Sequence, residues 1–224
     1  MSDTIIQILL FAVPAIIAIT LHEAAHGYTA NFFGDDTAKR AGRLSFNPIR
    51  HIDPFGTILL PAMLAATTGF IFGYAKPVPV DPQQLRNPRR DMAFVAAAGP
   101  LTNIALAIVA VIVFYFVLDL ANQNAILWKV LIMSIQLNFV LAILNLLPLP
   151  PLDGSKVLAA FLPDNLRHTY LRLEPYGFLI LLALIFLVPA ITAQFGARIN
   201  ILSTLVSDPA FSLTRYFVGL IGAI

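Results

Sequence analysis

The chain has 224 residues, of which 58% are hydrophobic and only 12% are charged, and its mean hydropathy is +0.82. Soluble domains carry about 25% charged residues, so this composition excludes a soluble globular protein and indicates a polytopic membrane protein. A net charge of +2, without a basic run interleaved with aromatic residues, argues against a nucleic-acid partner, and the lack of cysteine excludes disulfides and thiolate metal sites.

The first predicted element is a long helix. Residues Ile5 to Leu21 are apolar apart from Gln7 and Thr20, and the helical pattern continues through Phe33. Such a helix is long enough to cross a bilayer core of about 30 Å. Its first residues lack the basic character of a signal peptide, and its apolar stretch is too long for one, so we expect the helix to be retained.

A polar segment follows the first helix and extends to about Asp53. It contains four basic residues and two dipeptides that favour turns, Asn47-Pro48 and Asp53-Pro54. His51 lies within this segment. We interpret this histidine as a solvated loop residue rather than as a metal ligand or a gating group.

The next apolar stretch, residues 55–72, is just long enough to span a membrane. Glycine and proline break its pattern at three positions, so it is either a full crossing or a re-entrant segment that enters and returns. The prolines of residues 73–90 exclude a long helix there. They allow residues 76–80 to lie extended, and an unwound substrate could add by β-augmentation to an edge there or in the re-entrant segment.

Three further apolar stretches predict helices, namely Met92–Leu118, Ile126–Leu147 and Leu171–Ala193, and a short helix is predicted over Ser155–Leu162. The last stretch, Ile199–Ile224, is interrupted by Asp208-Pro209 and is predicted as a sixth span, a broken hairpin or an interfacial helix. The fold class that follows is an all-α polytopic membrane protein. We expect five to six transmembrane helices, with a re-entrant or short extended segment between the first helix and the next core helix. Residues 1–224 should form a single membrane-embedded domain, with its core in residues 4–162 and C-terminal helices in residues 171–224.

Three ionisable side chains, His22, Glu23 and His26, lie in the apolar first helix. An ionisable group inside a span costs roughly 2.5 kcal/mol or more unless it faces protein, water or a metal, so it is functional by default. Because His22 and His26 are four residues apart, both rings project from one face of the helix and can bind one ion. The spacing is typical of zinc sites with two histidine ligands and a glutamate that acts as general base.

A catalytic zinc site needs a third protein ligand, and the chain has only 12 acidic residues from which to supply it. Asp153 is the strongest candidate, because it follows a predicted span in a proline-rich break beside Gly154. An aspartate at this position could also cap the helix predicted over Ser155–Leu162. The residues alone leave these two roles open.

Three motifs occur in order along the chain, and together they resemble the site-2 protease family of intramembrane zinc metalloproteases. They are H-E-x-x-H in the first helix, Gly99-Pro100-x-x-Asn103, and Asn145-x-x-Pro148-x-x-x-x-Asp153-Gly154. The run Asn47-Pro48-x-x-His51-x-Asp53-Pro54 resembles a compact prokaryotic branch of that family, without PDZ or CBS domains.

The resemblance implies that one zinc ion is bound by His22, His26 and Asp153, and that Glu23 is the catalytic base. It also implies that Asn103 and Asn145 orient the substrate or the oxyanion, although both could equally serve as hydrogen-bonding contacts between helices.

The implied activity is that of a zinc-dependent intramembrane metalloendopeptidase, which hydrolyses a peptide bond in or near a transmembrane segment during regulated intramembrane proteolysis. Its implied partners are a transmembrane protein substrate and the lipid bilayer, and the oligomeric state, including a homo-oligomer, is left open. Two other classes are considered: a membrane metal-binding or transport protein, and a catalytically silent binder of membrane helices. A transporter needs a relay of ionisable groups, which the later predicted spans lack, and the intact Glu23 disfavours a silent binder.

The distribution of basic residues predicts a topology. If residues 55–72 enter the membrane and return, eleven of the 14 basic residues fall on one side, as the positive-inside rule expects of a cytoplasmic face. A full crossing would divide the basic loops and place Asp153 at the face opposite the histidines. We therefore expect a multi-pass protein of the cell membrane, with an extracytoplasmic N-terminus and an active site in the cytoplasmic half.

Overall fold

The computed structural model describes residues 2–59, 63, 75–197 and 200–223, and the regular elements within these ranges are all helical. The α-helices, numbered in chain order, are α1 (Ser2–Phe32), α2 (Thr37–Arg40), α3 (Pro88–Phe116), α4 (Leu118–Gln123), α5 (Ala125–Leu146), α6 (Asp153–Phe161), α7 (Asp164–Leu171), α8 (Gly177–Leu182), α9 (Val188–Gln194) and α10 (Asp208–Leu220). Short 3₁₀ helices cover Pro48–His51, Pro82–Gln84 and Glu174–Tyr176, and wider π-helical turns cover Pro54–Leu59, Ala183–Leu187 and Ser203–Ser207. The predicted all-α class is confirmed.

Four helical stretches are long and apolar enough to cross a membrane, namely Leu10–Phe32, Pro88–Phe116, Ala125–Leu146 and Asp164–Gln194. They confirm a polytopic membrane protein, whereas the total of five to six spans stays a prediction. Of the three structures considered for the last apolar stretch, a hairpin broken at Asp208-Pro209 is excluded, because the chain stays helical from Ile201 to Leu220. A π-helical turn ends directly before Asp208, and its wider backbone accommodates the proline in the first turn of α10.

Helix α3 packs against α1, α5 and α6 and is the centre of the described bundle. It begins earlier than predicted because Pro88 occupies its first turn, where a missing N–H costs nothing, and the Asp91 carboxylate accepts the N–H of Asn87 at 2.7 Å. Small buried residues, such as Ala96 and Ala107, let neighbouring helices approach closely. The later half of α3 instead contributes large side chains to a core shared with α5 and α10.

The polar segments gather at one end of this bundle. Hydrogen bonds join the segment after α1 to the segment before α3 (Arg40 Nη2 to Gln84 Oε1, 2.8 Å). Another joins the start of α3 to the start of α7 (Arg89 Nη1 to Asp164 Oδ1, 3.0 Å). The three segments that carry most of the basic residues therefore share one end.

The two ends of the predicted re-entrant segment meet. The backbone N–H of Lys76 donates to the carbonyl of His51 at 2.9 Å, so the chain enters and leaves this segment at the same end of the bundle. Residues 60–62 and 64–72 of the segment lie outside the described residues.

The interpretation of His51 as a solvated loop residue is wrong. The residue is only 2% exposed, and its ring Nε2 donates to the carbonyl of Ser45 at 2.8 Å. The turn around it is held by the Asn47 side chain, which accepts the N–H of Ile49. The turn closes over the ring, and the chain that returns at Lys76 pairs with the His51 backbone. The burial of His51 therefore comes from contacts that the polar composition of the segment does not reveal.

Candidate metal centre

Three potential ligand atoms converge on one point inside the helical bundle. The Nε2 atoms of His22 and His26 lie 3.0 Å apart. Oδ2 of Asp153 lies 3.2 Å from the first of these nitrogens and 3.3 Å from the second. Two ligands about 2.0–2.1 Å from a tetrahedral zinc ion are themselves roughly 3.3 Å apart, so the three atoms have the separations that such an ion requires.

Hydrogen bonds at the far side of each ring fix which nitrogen faces this point. His22 Nδ1 donates to Oδ1 of Asn103 at 2.6 Å, and His26 Nδ1 donates to the carbonyl of Val95 at 2.7 Å. Nε2 of each ring is therefore the nitrogen that faces the shared point, and a neutral ring protonated at Nδ1 is the tautomer that binds a metal. In that tautomer two lone pairs and a carboxylate face one another, an arrangement that suits a cation.

The chain brings Asp153 to the histidines through a break after α5. Prolines at positions 148, 150 and 151 prevent the helix from continuing, and α6 then begins with Asp153 itself. The residue before it, Leu152, is the N-cap, so Asp153 is not the capping residue considered from the sequence.

Glu23 lies beside the three ligands and lines the same cavity, which has a volume of about 500 Å³. Its Oε2 accepts a hydrogen bond from the backbone N–H of Val78 at 2.8 Å. Oε2 is thus fixed by the returning chain. The cavity is also lined by Asn145, Lys156 and Glu174.

The two asparagines predicted from motifs have different surroundings. Asn103 is fully buried. Its Oδ1 accepts the hydrogen bond from His22, and its Nδ2 donates to Oδ1 of Asn138 at 2.9 Å. Asn145 lines the cavity and donates to the carbonyl of Leu141. Sequence reasoning missed Asn138, although an asparagine in the middle of a predicted span was a signal for it.

Gly99 has a role that the sequence did not indicate. A Cβ atom at this position would lie 2.5 Å from Nε2 of His26 and 2.6 Å from Nε2 of His22. Real side chains do not approach so closely. The helix α3 can therefore pass the face of α1 that carries His22 and His26 only because residue 99 has no side chain.

Comparisons with known proteins identify the family of this chain. The model of peptidase family M50 matches residues 10–123 and 117–188. The chain is 42% identical over 174 residues to YwhC of Bacillus subtilis, provisionally named a zinc metalloprotease, and the alignment covers 75% of this chain and 76% of the relative. It is 29% identical over 180 residues to Rip2 of Mycolicibacterium smegmatis, also provisionally named a zinc metalloprotease, with 80% of this chain and 67% of the relative covered. No solved structure matches significantly. The chain therefore belongs to peptidase family M50, the site-2 protease family of metalloproteases.

Proposed function

We propose that this protein is a zinc-dependent intramembrane endopeptidase that hydrolyses a peptide bond in or near a transmembrane segment of a membrane protein. The observation that carries the proposal is the convergence of His22, His26 and Asp153 beside Glu23, within a bundle of membrane-spanning helices. The family and the names of its relatives support a metalloprotease.

The residues have distinct roles in this reaction. His22, His26 and Asp153 would hold one zinc ion, which when bound acidifies water and polarises a carbonyl group. Glu23 takes a proton from the attacking water and delivers it to the leaving amine. The Val78 N–H donated to Oε2 holds the Glu23 carboxylate in one orientation and leaves lone pairs on its oxygens to take up the proton.

Asn103 and Asn145 have separate roles in the proposal. Asn103 orients the His22 ring through its Oδ1 and is itself held by Asn138, so it acts on the metal site rather than on the substrate. Asn145 lines the cavity and is the asparagine that can donate to a substrate carbonyl or an oxyanion.

The predicted edge at residues 76–80 offers little to an added substrate strand. Pro77 and Pro79 have no N–H, and the N–H groups of Lys76 and Val78 are donated within the chain, to His51 and Glu23. Among these residues, Val80 is therefore the one whose N–H is left for β-augmentation. Substrate reaches Glu23 through the cavity.

The proposed topology has the cavity open to the cytoplasmic side. The shared end of the basic segments and the meeting of His51 with Lys76 support it, because a crossing would separate those two backbones by about the 30 Å bilayer core. The test is a Lys76→Cys variant in this cysteine-free chain, since Lys76 is exposed. Labelling by an impermeant thiol reagent should occur in inside-out vesicles, and labelling in intact cells would refute the topology.

The direct test of function compares wild type with Glu23→Gln on a model transmembrane substrate. We expect the variant to retain zinc and to lose cleavage, because glutamine cannot take up the proton. Glu174→Gln is the matched control, since it makes the same substitution at an exposed position on the rim of the same cavity. Equal cleavage by Glu23→Gln and wild type would reject Glu23 as the base. If wild type moves zinc across a membrane and cleaves no substrate, the result would favour a metal transporter.

A further inference from the structure

The chain that returns after residue 75 crosses directly over Glu23. We call residues 76–80 the strap; their sequence is Lys-Pro-Val-Pro-Val and they form no regular helix. Prolines on both sides of Val78 restrict the backbone to extended conformations and leave Val78 as the one donor among residues 77–79. That single N–H is donated to Oε2 of Glu23 at 2.8 Å.

The strap is anchored from the opposite side by Arg43. This arginine is only 8% exposed, and its Nη2 donates to the carbonyl of Lys76 at 2.5 Å and more weakly to that of Pro77 at 3.4 Å. A buried guanidinium is costly, and the Nε of Arg43 has no hydrogen-bond partner among the described residues, so the bonds from Nη2 to these two carbonyls are the ones that stabilise it. Gly42, with a φ of +64°, allows the tight turn that directs the chain at Arg43 toward the strap.

Further contacts fix where the strap lies along α1. The N–H of Lys76 donates to the buried His51, and at the other end the N–H of Asp81 donates to Oδ2 of Asp35 at 2.7 Å. The Val78 side chain packs on Gly27, where an added Cβ would lie 3.1 Å from Cγ1 of Val78. The strap is therefore held at both ends, with its one central donor on Glu23.

We propose that Arg43 is a positioning residue for Glu23: it clamps the strap so that the Val78 N–H holds the Glu23 carboxylate in its reactive orientation. The inference rests on the proposed function, because it takes Glu23 to be the base. It gives a function to the polar segment after α1, which carries no metal ligand. Arg43 acts through the strap: it is not among the residues that line the cavity, but it contacts Pro77, which is.

The first test measures the position of the strap without activity. In a Val78→Cys background the thiol replaces a side chain that is 8% exposed, and the backbone N–H is unchanged. Adding Arg43→Gln removes a charge-assisted hydrogen bond, so labelling of the cysteine should become about 10-fold faster or more. The control is Lys39→Gln, which deletes a positive charge from the same segment at an exposed position and should leave the labelling rate unchanged. Equal labelling of the Arg43 and Lys39 variants would overturn the clamp.

The second test measures cleavage of a model transmembrane substrate. Arg43→Gln should lower kcat by about 10- to 100-fold with an unchanged KM, because a small displacement of the base affects the chemical step more than binding. Its zinc content should equal that of wild type, and Arg43→Lys, which keeps one donor, should recover part of the rate. A kcat for Arg43→Gln at or above that of Lys39→Gln, or a loss explained by lost zinc, would overturn the inference while leaving the protease function in place. Absence of cleavage by wild type would instead refute the proposed function itself.

Discussion

Replacing Gly99 by alanine should disable metal binding while leaving the ligands themselves unchanged. The new Cβ would lie 2.5 Å from Nε2 of His26 and 2.6 Å from Nε2 of His22. To reach even a 3.0 Å contact, α3 or the rings must move by about 0.5 Å, whereas metal–ligand distances tolerate only about 0.2 Å. The displaced atoms are the Nε2 atoms that would bind the zinc ion, so the displacement weakens zinc binding directly.

We expect Gly99→Ala to weaken zinc binding by about 10- to 100-fold, which corresponds to roughly 1.4–2.7 kcal/mol. The assay is competition with a chelating zinc indicator in detergent, which gives the zinc dissociation constant independently of cleavage. If the strain is instead relieved by moving α3 away, the thermal midpoint should fall as well, since overpacking costs about 1–3 kcal/mol.

Gly219→Ala is the matched control, because no atom lies within 4 Å of a Cβ added there and the residue is in α10. Its zinc affinity should equal that of wild type, and its stability should rise slightly, because alanine favours the helix. A wild-type zinc affinity in Gly99→Ala would refute the close approach of α3 to the two histidines.

Further predictions follow from single contacts. Asn103→Ala should weaken zinc binding by about 10- to 100-fold in the same assay, because the His22 ring loses the acceptor that fixes its tautomer; an unchanged affinity would contradict that role. Gly154→Ala should destabilise the fold by about 1–3 kcal/mol, because its Cβ would collide with the Leu146 carbonyl; an unaltered thermal midpoint would show that α6 is free to shift. Phe114→Ala should cost about 3 kcal/mol in reversible unfolding, because the fully buried ring packs edge-on against Trp128 at 5.0 Å; an effect below 1 kcal/mol would contradict this packing.

The parts of the site that depend on spacing within one helix could be predicted from the sequence. His22 and His26 were assigned to one face because they are four residues apart, and their place in an apolar span marked them as functional. The long helices were also predictable from apolar length. Asp153 could not be assigned from its position alone, which left a capping role open. The N-cap at Leu152 and the distances from Asp153 to the two rings are what separate the two roles.

Contacts between distant segments were not predictable in the same way. The roles of Gly99 and Asn138 depend on how α3 is rotated against α1 and α5, which hydrophobic composition does not determine when a helix is apolar on every side. His51 and Arg43 lie in a segment whose polarity suggested solvent, and their burial comes from the returning strap, a pairing across more than twenty residues. The burial of His51 and Arg43 can be recognised only once the hydrogen bonds between their segment and the strap are known.

The most direct test of the central claim is the metal content of the purified chain, measured by mass spectrometry together with the zinc X-ray absorption spectrum. Mildly purified wild type should contain one zinc per chain, with nitrogen and oxygen ligands and no sulfur, and Asp153→Ala together with His26→Ala should lose it. Wild type without stoichiometric zinc, or a zinc content unaffected by the double substitution, would contradict a site built from His22, His26 and Asp153.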